Sequence, residues 1–254
     1  MSVLKFLGFM IVFFSTFTFA QDKVEIKTVL GKQSDFDRLN DFLSRKSDRR
    51  SEKELIVYFF DTSSCSLNDK GLILRARIRQ GDSFLEGKME STVKIRTDNL
   101  QDIPGFECEK DLLPNKRELF SCSLKTTIPF LSFSEGSRPD GSFVFWSDQQ
   151  LKKVEEIMDQ SLSQLSLQTY GPIKATKYKY KGVKKNIKSL TLEVWEMNGQ
   201  QLYELSTKVP ESKSDRAQEE MNDLLKKMDI KSSALTKTRW ALSKLSACYQ
   251  PDPD

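Results

Sequence analysis

Arginines at positions 75, 77 and 79 stand at every second place in the run LILRARIR, residues 72–79. In an extended strand, residues two apart point to the same side. The three guanidinium groups therefore share one face, and Leu72, Leu74, Ala76 and Ile78 take the other. The same spacing collects Lys94 with Arg96, Lys177 with Lys179 and Lys181, Glu107 with Glu109, and Lys23 with Glu25 and Lys27. A planar guanidinium donates two parallel hydrogen bonds to a phosphate or carboxylate, and lysine adds a mobile point charge. Like charges on neighbouring strands repel. Curling the sheet around an anion, or around interleaved carboxylates, relieves that repulsion. A sheet with one buried and one solvated face produces the same alternation with no ligand at all, and periodicity alone does not separate the two.

The chain contains no histidine, which removes imidazole bases and imidazole metal ligands. The cysteines at 65, 108, 122 and 248 form no Cys-x-x-Cys motif, which argues against a redox or zinc centre. A metal here must be held by carboxylate oxygens, which points to Mg2+, Mn2+ or Ca2+. Four cysteines allow three pairings. In one of them Cys108 and Cys122 staple neighbouring strands, leaving Cys65 for Cys248.

The elements that must position these groups follow from hydrophobic period. Strands are expected over 23–30, 54–62, 72–79, 91–97, 103–113, 116–127, 173–182, 189–197 and 201–209. Asn198-Gly199 marks a hairpin between the last two. Helices are expected over 34–46 with Ser34 as cap, over 147–165 with Ser147 as cap, and over 216–228 and 233–247. A loop is read over 128–142. Asp61 is expected to shape a turn, since aspartate readily bonds nearby backbone amides. Tyr58, Phe59 and Phe60 are read as core.

With 38% hydrophobic and 30% charged residues in 254, the chain can bury a core. Residues 1–20 read as a secretory signal: Lys5, an apolar run, then Thr18-Phe19-Ala20 before the cut. A periplasmic or secreted location is the expectation, with no membrane span once the signal is cleaved. Losing Lys5 leaves 39 basic against 36 acidic side chains, an excess of three. That mild charge gives no ground for expecting a nucleic-acid partner. Residues 21–250 are taken as one domain, closed by C-terminal helices over about 213–247.

The stretch YFFDTSSCSLNDKGLILRARIR resembles CYTH proteins, the triphosphate tunnel metalloenzyme group. It carries the resemblance through Tyr58, Phe60, Asp61, Thr62, Leu67, Gly71, Leu74, Arg75 and Arg77. Thr92-Val93-Lys94 is similar to that family's threonine-x-lysine strand. Lys177 and Lys179 resemble its later basic pair, and Glu193 and Glu204 resemble acids of its last two tunnel strands. The resemblance implies an α+β fold, an antiparallel tunnel-like barrel flanked by helices. It also implies Lys27, Arg75, Arg77, Lys94, Lys177 and Lys179 as phosphate ligands. Glu25, Glu193 and Glu204 are the implied ligands of Mg2+ or Mn2+. The departures fall on the acidic side. Lys23 stands where the family's first glutamate is expected, Ser206 follows Glu204, and Trp195 follows Glu193 at the same spacing. The function so implied is an exported protein that binds polyphosphate or an organic triphosphate, with metal-dependent phosphohydrolase activity if the carboxylates hold a metal. The alternative is a catalytically silent polyanion binder or a structural envelope protein.

Overall fold

A computed structural model describes residues 23–79, 88–97, 103–114, 117–129 and 146–245. The signal expected over 1–20, most of the loop expected over 128–142, and Cys248 lie outside the described residues.

The alternating runs form strands β1 (Lys23–Leu30), β2 (Arg49–Thr62), β3 (Leu72–Arg79), β4 (Lys88–Thr97), β5 (Glu107–Leu112), β6 (Glu118–Pro129), β7 (Leu167–Lys181), β8 (Ser189–Met197), β9 (Gln200–Pro210) and β10 (Ser232–Ser233). The helices are α1 (Gln33–Lys46), α2 (Ser66–Asp69), α3 (Asp148–Met158), α4 (Ser214–Lys227) and α5 (Lys237–Leu245). The sheet order is β10-β1-β5-β6-β4-β3-β2-β7-β8-β9, and β9 pairs back onto β1 to close a barrel. Neighbours are antiparallel except β1 and β5, which run parallel. The strand count explains this. Directions that alternate around a closed ring need an even number of strands, and nine strands close this ring, so one parallel pair is unavoidable.

Three apolar clusters set the layers. Outside the barrel, α1 and α4 cover β1, β8 and β9 through Leu39, Leu43, Met221 and Leu224 against Ile26, Leu192 and Leu205. On another outer face, Leu72, Leu74 and Ala76 pack with Val154 and Met158 of α3, as expected for the side of β3 turned away from its arginines. Gln150 of α3 is fully buried there and donates to the Leu124 carbonyl at 3.0 Å. The third cluster lies within the barrel. Val57 and Phe59 sit opposite Arg77 and Arg75 across the β2–β3 ladder, so they share the inward face. They pack with Ile73, Ile173 and Trp195 against Trp240, Ala241 and Leu242 of α5. One end of the tunnel is thus filled by a helix with an apolar face, at about 1.5–3 kcal/mol for each large side chain fully buried. The other end keeps its charges.

Local chemistry accounts for the joints. Asp61 accepts from the backbone amides of Thr62 (2.7 Å) and Leu67 (3.0 Å) on Oδ1 and of Asn68 (3.1 Å) on Oδ2. It builds the turn it was expected to build. Gly71, at φ 70°, lies where a Cβ would meet the Arg96 carbonyl oxygen at 2.8 Å, so no other residue fits without displacing β4. Asn198 and Gly199 both take positive φ in the β8–β9 hairpin. Phe59 and Phe60 are buried. Cys108 and Cys122 face each other across β5 and β6 and form a disulfide.

Several boundaries differ from expectation. α3 stops at Met158 rather than at 165, because Asp159 takes a left-handed φ of 53°. Ser147 does cap it, in a reciprocal box with Gln150. α1 is capped by Lys32, without a side-chain bond, rather than by Ser34. β7 begins at Leu167, six residues early. Pro172 is absorbed where the β2–β7 register shifts between Val57 and Phe59, a place where the missing amide costs no ladder bond. α5 begins at Lys237 rather than 233, since Ser232 and Ser233 pair with β1. No helix among the described residues is long and apolar enough to cross a membrane.

Candidate functional site

The inward face of β3 runs Ile73, Arg75, Arg77, Arg79, from the α5 end towards the open end. Opposite them on β4 stand Lys94, Thr92, Glu90 and Lys88 in the same order. Side chains directly opposite in a ladder share a face, so the two strands present a basic wall. β1 contributes Glu25 and Lys27, β5 contributes Glu109, and β8 and β9 contribute Glu193 and Glu204, which are themselves directly opposed. Most of these groups, though not Ile73, Arg79, Thr92 or Lys88, converge on a cavity of about 190 Å3. Its lining holds Lys27, Arg75, Arg77, Lys94, Arg96, Lys125, Lys177, Lys208 and Lys237 against Glu25, Glu90, Glu109, Glu193 and Glu204, nine basic groups to five acidic. Towards the open end a second cavity of about 480 Å3 shares Arg77, Glu90 and Lys177 and adds Lys53, Arg79 and Lys88.

Of the six expected phosphate ligands, five line the central cavity and Lys179 does not. Lys179 is exposed at the end of β7, and its pKa is lowered by partial burial and then by Lys181, Lys177 and Lys53. The other five are partnered unequally. Lys27 is buried, with Nζ 2.5 Å from Asp111 Oδ2 and 3.2 Å from Glu25 Oε2. Lys177 lies 3.0 Å from Glu193 Oε1. Arg77 has only a loose contact, 3.9 Å, with Glu90. Arg75 and Lys94 have no carboxylate within ion-pair distance among the described residues, and the Nε atoms of Arg75 and Arg77 are buried without hydrogen-bond partners.

The electrostatics follow from this inequality. Burial and then the Arg77 charge pull the Arg75 guanidinium down to about 9. Burial, followed by Lys27, pulls the Lys94 ammonium down to about 7, with Arg96 adding to the fall. Lys27 goes the other way. Its burial is overridden by Glu25 and Asp111, which hold it above the usual lysine range. Burial pushes the Glu25 carboxyl up, but Lys27, Lys208, Lys237 and Lys94 together hold it well below the usual carboxylate range.

The three expected metal ligands all line this cavity, but among the described residues they do not form one close group of carboxylates. Glu25 groups instead with Glu109 and Asp111, with one carboxylate oxygen from each lying within 4.8 Å of the others. Asp111 is fully buried, and its Oδ1 has no hydrogen-bond partner. An orphaned buried oxygen beside two further carboxylates fits a hard divalent cation, which takes oxygen ligands. Glu193 and Glu204 are engaged elsewhere. Both bond to the ammonium of Lys237, at 2.6 Å for Glu204 Oε1. Burial raises the Glu204 carboxyl despite that contact, and the neighbouring Glu193 charge adds to the rise. Burial also opposes ionisation of Glu193, but Lys237, Lys177 and Arg77 outweigh it and hold that carboxyl low. Two carboxylates sharing one ammonium are shifted in opposite directions, and the lowered one is the one with the second lysine.

Asp111 and Lys237 are among the residues of this site that were missed in the sequence. Asp111 extends the Glu107, Glu109 alternation by one more step, so the period that gathered those two would have found it. Lys237 carries no such signal. It sits at the start of a helix, in TKTRW, and nothing in helical spacing says that the helix enters a barrel.

No protein-family model matches this chain, and no curated protein matches it. Solved structures do. A candidate adenylyl cyclase from Hippeastrum, described as having a dominant triphosphatase activity, superposes with a TM-score of 0.64 at 18% identity, over 87% of this chain and 95% of that one. A candidate adenylate cyclase from Bacillus halodurans gives 0.56 at 16% identity, over 88% of this chain and 97% of that one. Likeness at such identity speaks to architecture, and it agrees with the closed ring of strands and its flanking helices. The chain has the CYTH-like, triphosphate-tunnel fold.

Proposed function

We propose that this protein is an exported binder of phosphate chains, inorganic polyphosphate or an organic triphosphate, taken into the tunnel from its open end. The observation that carries this reading is the convergence of Arg75, Arg77 and Lys94 on one cavity where, among the described residues, Glu90 at 3.9 Å from Arg77 is the one carboxylate within ion-pair distance of the three. A cation left unpaired away from water is costly, and a polyanion would supply the missing partner. Arg75 and Arg77 offer forked donors suited to phosphate oxygens, and Lys94 adds charge at the inner end. Arg79, Lys53 and Lys88 form a basic mouth that would draw an anion inward. The triphosphatase activity described for the Hippeastrum protein supports the same ligand class. Export rests on the signal read over residues 1–20 and is checked by finding Gln21 as the first residue of the secreted protein.

Hydrolysis is the second reading, favoured by the orphaned Asp111 oxygen beside Glu25 and Glu109. A divalent cation bound there would polarise a phosphoryl group and neutralise developing charge. The chain's own residues would hold and orient the phosphates, and α5 would close the far end to solvent.

Calorimetry with tripolyphosphate and ATP, beside a phosphate-release assay in Mg2+, Mn2+ or chelator, decides among these. Binding that persists in chelator without release identifies a binder. Metal-dependent release that is lost in Asp111→Asn identifies a hydrolase. Failure to bind either ligand overturns the phosphate reading and leaves a structural role.

A further inference from the structure

We infer that Lys237 is a resident cation of the tunnel: its ammonium fills the place between Glu193 and Glu204, and a divalent cation is thereby confined to Glu25, Glu109 and Asp111. The inference rests on the metal placement above but not on the phosphate reading.

Four observations support it. Glu193 and Glu204 are directly opposed across β8 and β9, a pairing of like charges that needs a cation between them. Lys237 supplies one, bonded to both carboxylates with its side chain 15% exposed. The remaining capacity of Glu193 is also taken, since Oε1 meets Lys177 and Oε2 accepts from the Trp195 indole. Finally, the ammonium is held in place from several sides. It lies 5.6 Å from the centre of the Trp195 ring, Arg96 donates to the neighbouring Thr236 hydroxyl at 3.1 Å, and Trp240, Ala241 and Leu242 anchor the helix in the apolar end of the barrel.

A divalent ion would have to displace this lysine, because Lys237 meets both carboxylates and both oxygens of Glu193 are already taken. At the other cluster the position is different. Lys27 occupies Asp111 Oδ2 and one oxygen of Glu25, and Lys208 occupies one oxygen of Glu109, but Asp111 Oδ1 is buried and unpartnered. That second observation marks Glu25, Glu109 and Asp111 as the place with an oxygen to give.

The test is Mn2+ binding to the mature protein without phosphate, measured by calorimetry and by the electron paramagnetic resonance signal of free Mn2+. The wild type is expected to bind one Mn2+. Asp111→Asn should weaken that site about tenfold or more, as loss of a ligand does, whereas Glu204→Gln, removing only a nearby charge, should move it less than about threefold. Lys237→Gln should add a second, weaker site that disappears in the Lys237→Gln, Glu204→Gln double variant, and Lys237→Arg should keep the count at one. Two sites in the wild type, none at all, or a Glu204→Gln loss as large as that of Asp111→Asn overturns the inference. So does a folded Lys237→Gln variant that still binds one ion. If Lys237→Gln does not fold, the contrast between Asp111→Asn and Glu204→Gln decides alone. Because phosphate is absent throughout, a failed polyphosphate titration and a failed Mn2+ count remain separate results.

Discussion

The β3–β4 wall of the tunnel and the wall made by β1, β5, β8 and β9 are both densely charged, and they treat their charges in opposite ways. On the second wall each acid has a tethered lysine: Lys27 for Glu25 and Asp111, Lys208 for Glu109, Lys237 for Glu193 and Glu204. On the first, Arg77 has one partner at 3.9 Å, and Arg75 and Lys94 have none within ion-pair distance among the described residues. A fold gains nothing from leaving cations in that condition. The satisfied wall therefore holds the barrel together, and the unsatisfied wall is the part shaped for something else.

Substituting each wall tests that division, and the largest effect belongs to the arginines. Arg75→Ala with Arg77→Ala should cost tripolyphosphate affinity about 100-fold or more, at about 1.5–3 kcal/mol for each charge-assisted hydrogen bond removed, while leaving the urea midpoint of the empty protein unchanged or higher. Calorimetry and denaturant titration read the two quantities separately. A double variant that unfolds easily yet binds normally would reverse the roles of the two walls.

Asp111→Ala probes the other wall and should lower stability by about 3–5 kcal/mol, because it strips a buried lysine of its nearest partner. Removing Lys27 as well, as Lys27→Met, should recover much of that loss. The double-mutant cycle then isolates the pair, and simple additivity would show that the two groups do not act together.

Lys94 sharpens the contrast through pH. Its pKa is pulled from 10.5 to about 7 in the fold. Between those values the empty folded protein holds fewer protons than the unfolded chain, so this group makes stability rise with pH across that window. A bound phosphate chain restores the charged form. Binding at about pH 8.5 should therefore take up nearly one proton, and binding at about pH 6 almost none. Calorimetry in buffers of different ionisation enthalpy measures the uptake. Lys94→Met should abolish it and stabilise the empty protein by about 1–3 kcal/mol.

How much of this was legible in the sequence divides along similar lines. Period-two spacing put Arg75 with Arg77, Lys94 with Arg96 and Glu25 with Lys27, each on one side of its own strand, because a strand alone decides which side a residue takes. It found the outward packing of Leu72, Leu74 and Ala76 for the same reason. It did not find the parallel β1–β5 pair, since ring closure is a property of all the strands together. Leu162 and Leu165 kept α3's apolar spacing past its end, but the left-handed Asp159 overrode them. Lys237 stayed hidden because its position depends on where a helix docks, and helical spacing names a face without naming its partner. Glu193 and Glu204 were implied as metal ligands by the family resemblance, and the cation that meets them, Lys237, arrives from outside their strands.

Lys179 makes the smallest and most discriminating difference. It has the same strand, spacing and charge as Lys177, two residues along β7, and the sequence treats the two alike. The structure separates them by depth. Lys177 lines both cavities and touches Glu193 at 3.0 Å, whereas Lys179 lines neither and is exposed. An exposed charge acts through screened, high-dielectric solvent, so Lys179→Ala should change tripolyphosphate affinity less than about twofold near 0.15 M salt, and more as salt is lowered. Lys177→Ala should have the larger effect at every salt concentration, since it also releases one oxygen of a buried glutamate into the cavity, where it repels the incoming anion. Equal losses for the two variants, with equal salt dependence, would mean that the ligand is held at the rim of the barrel, and the arginines inside would then need another explanation.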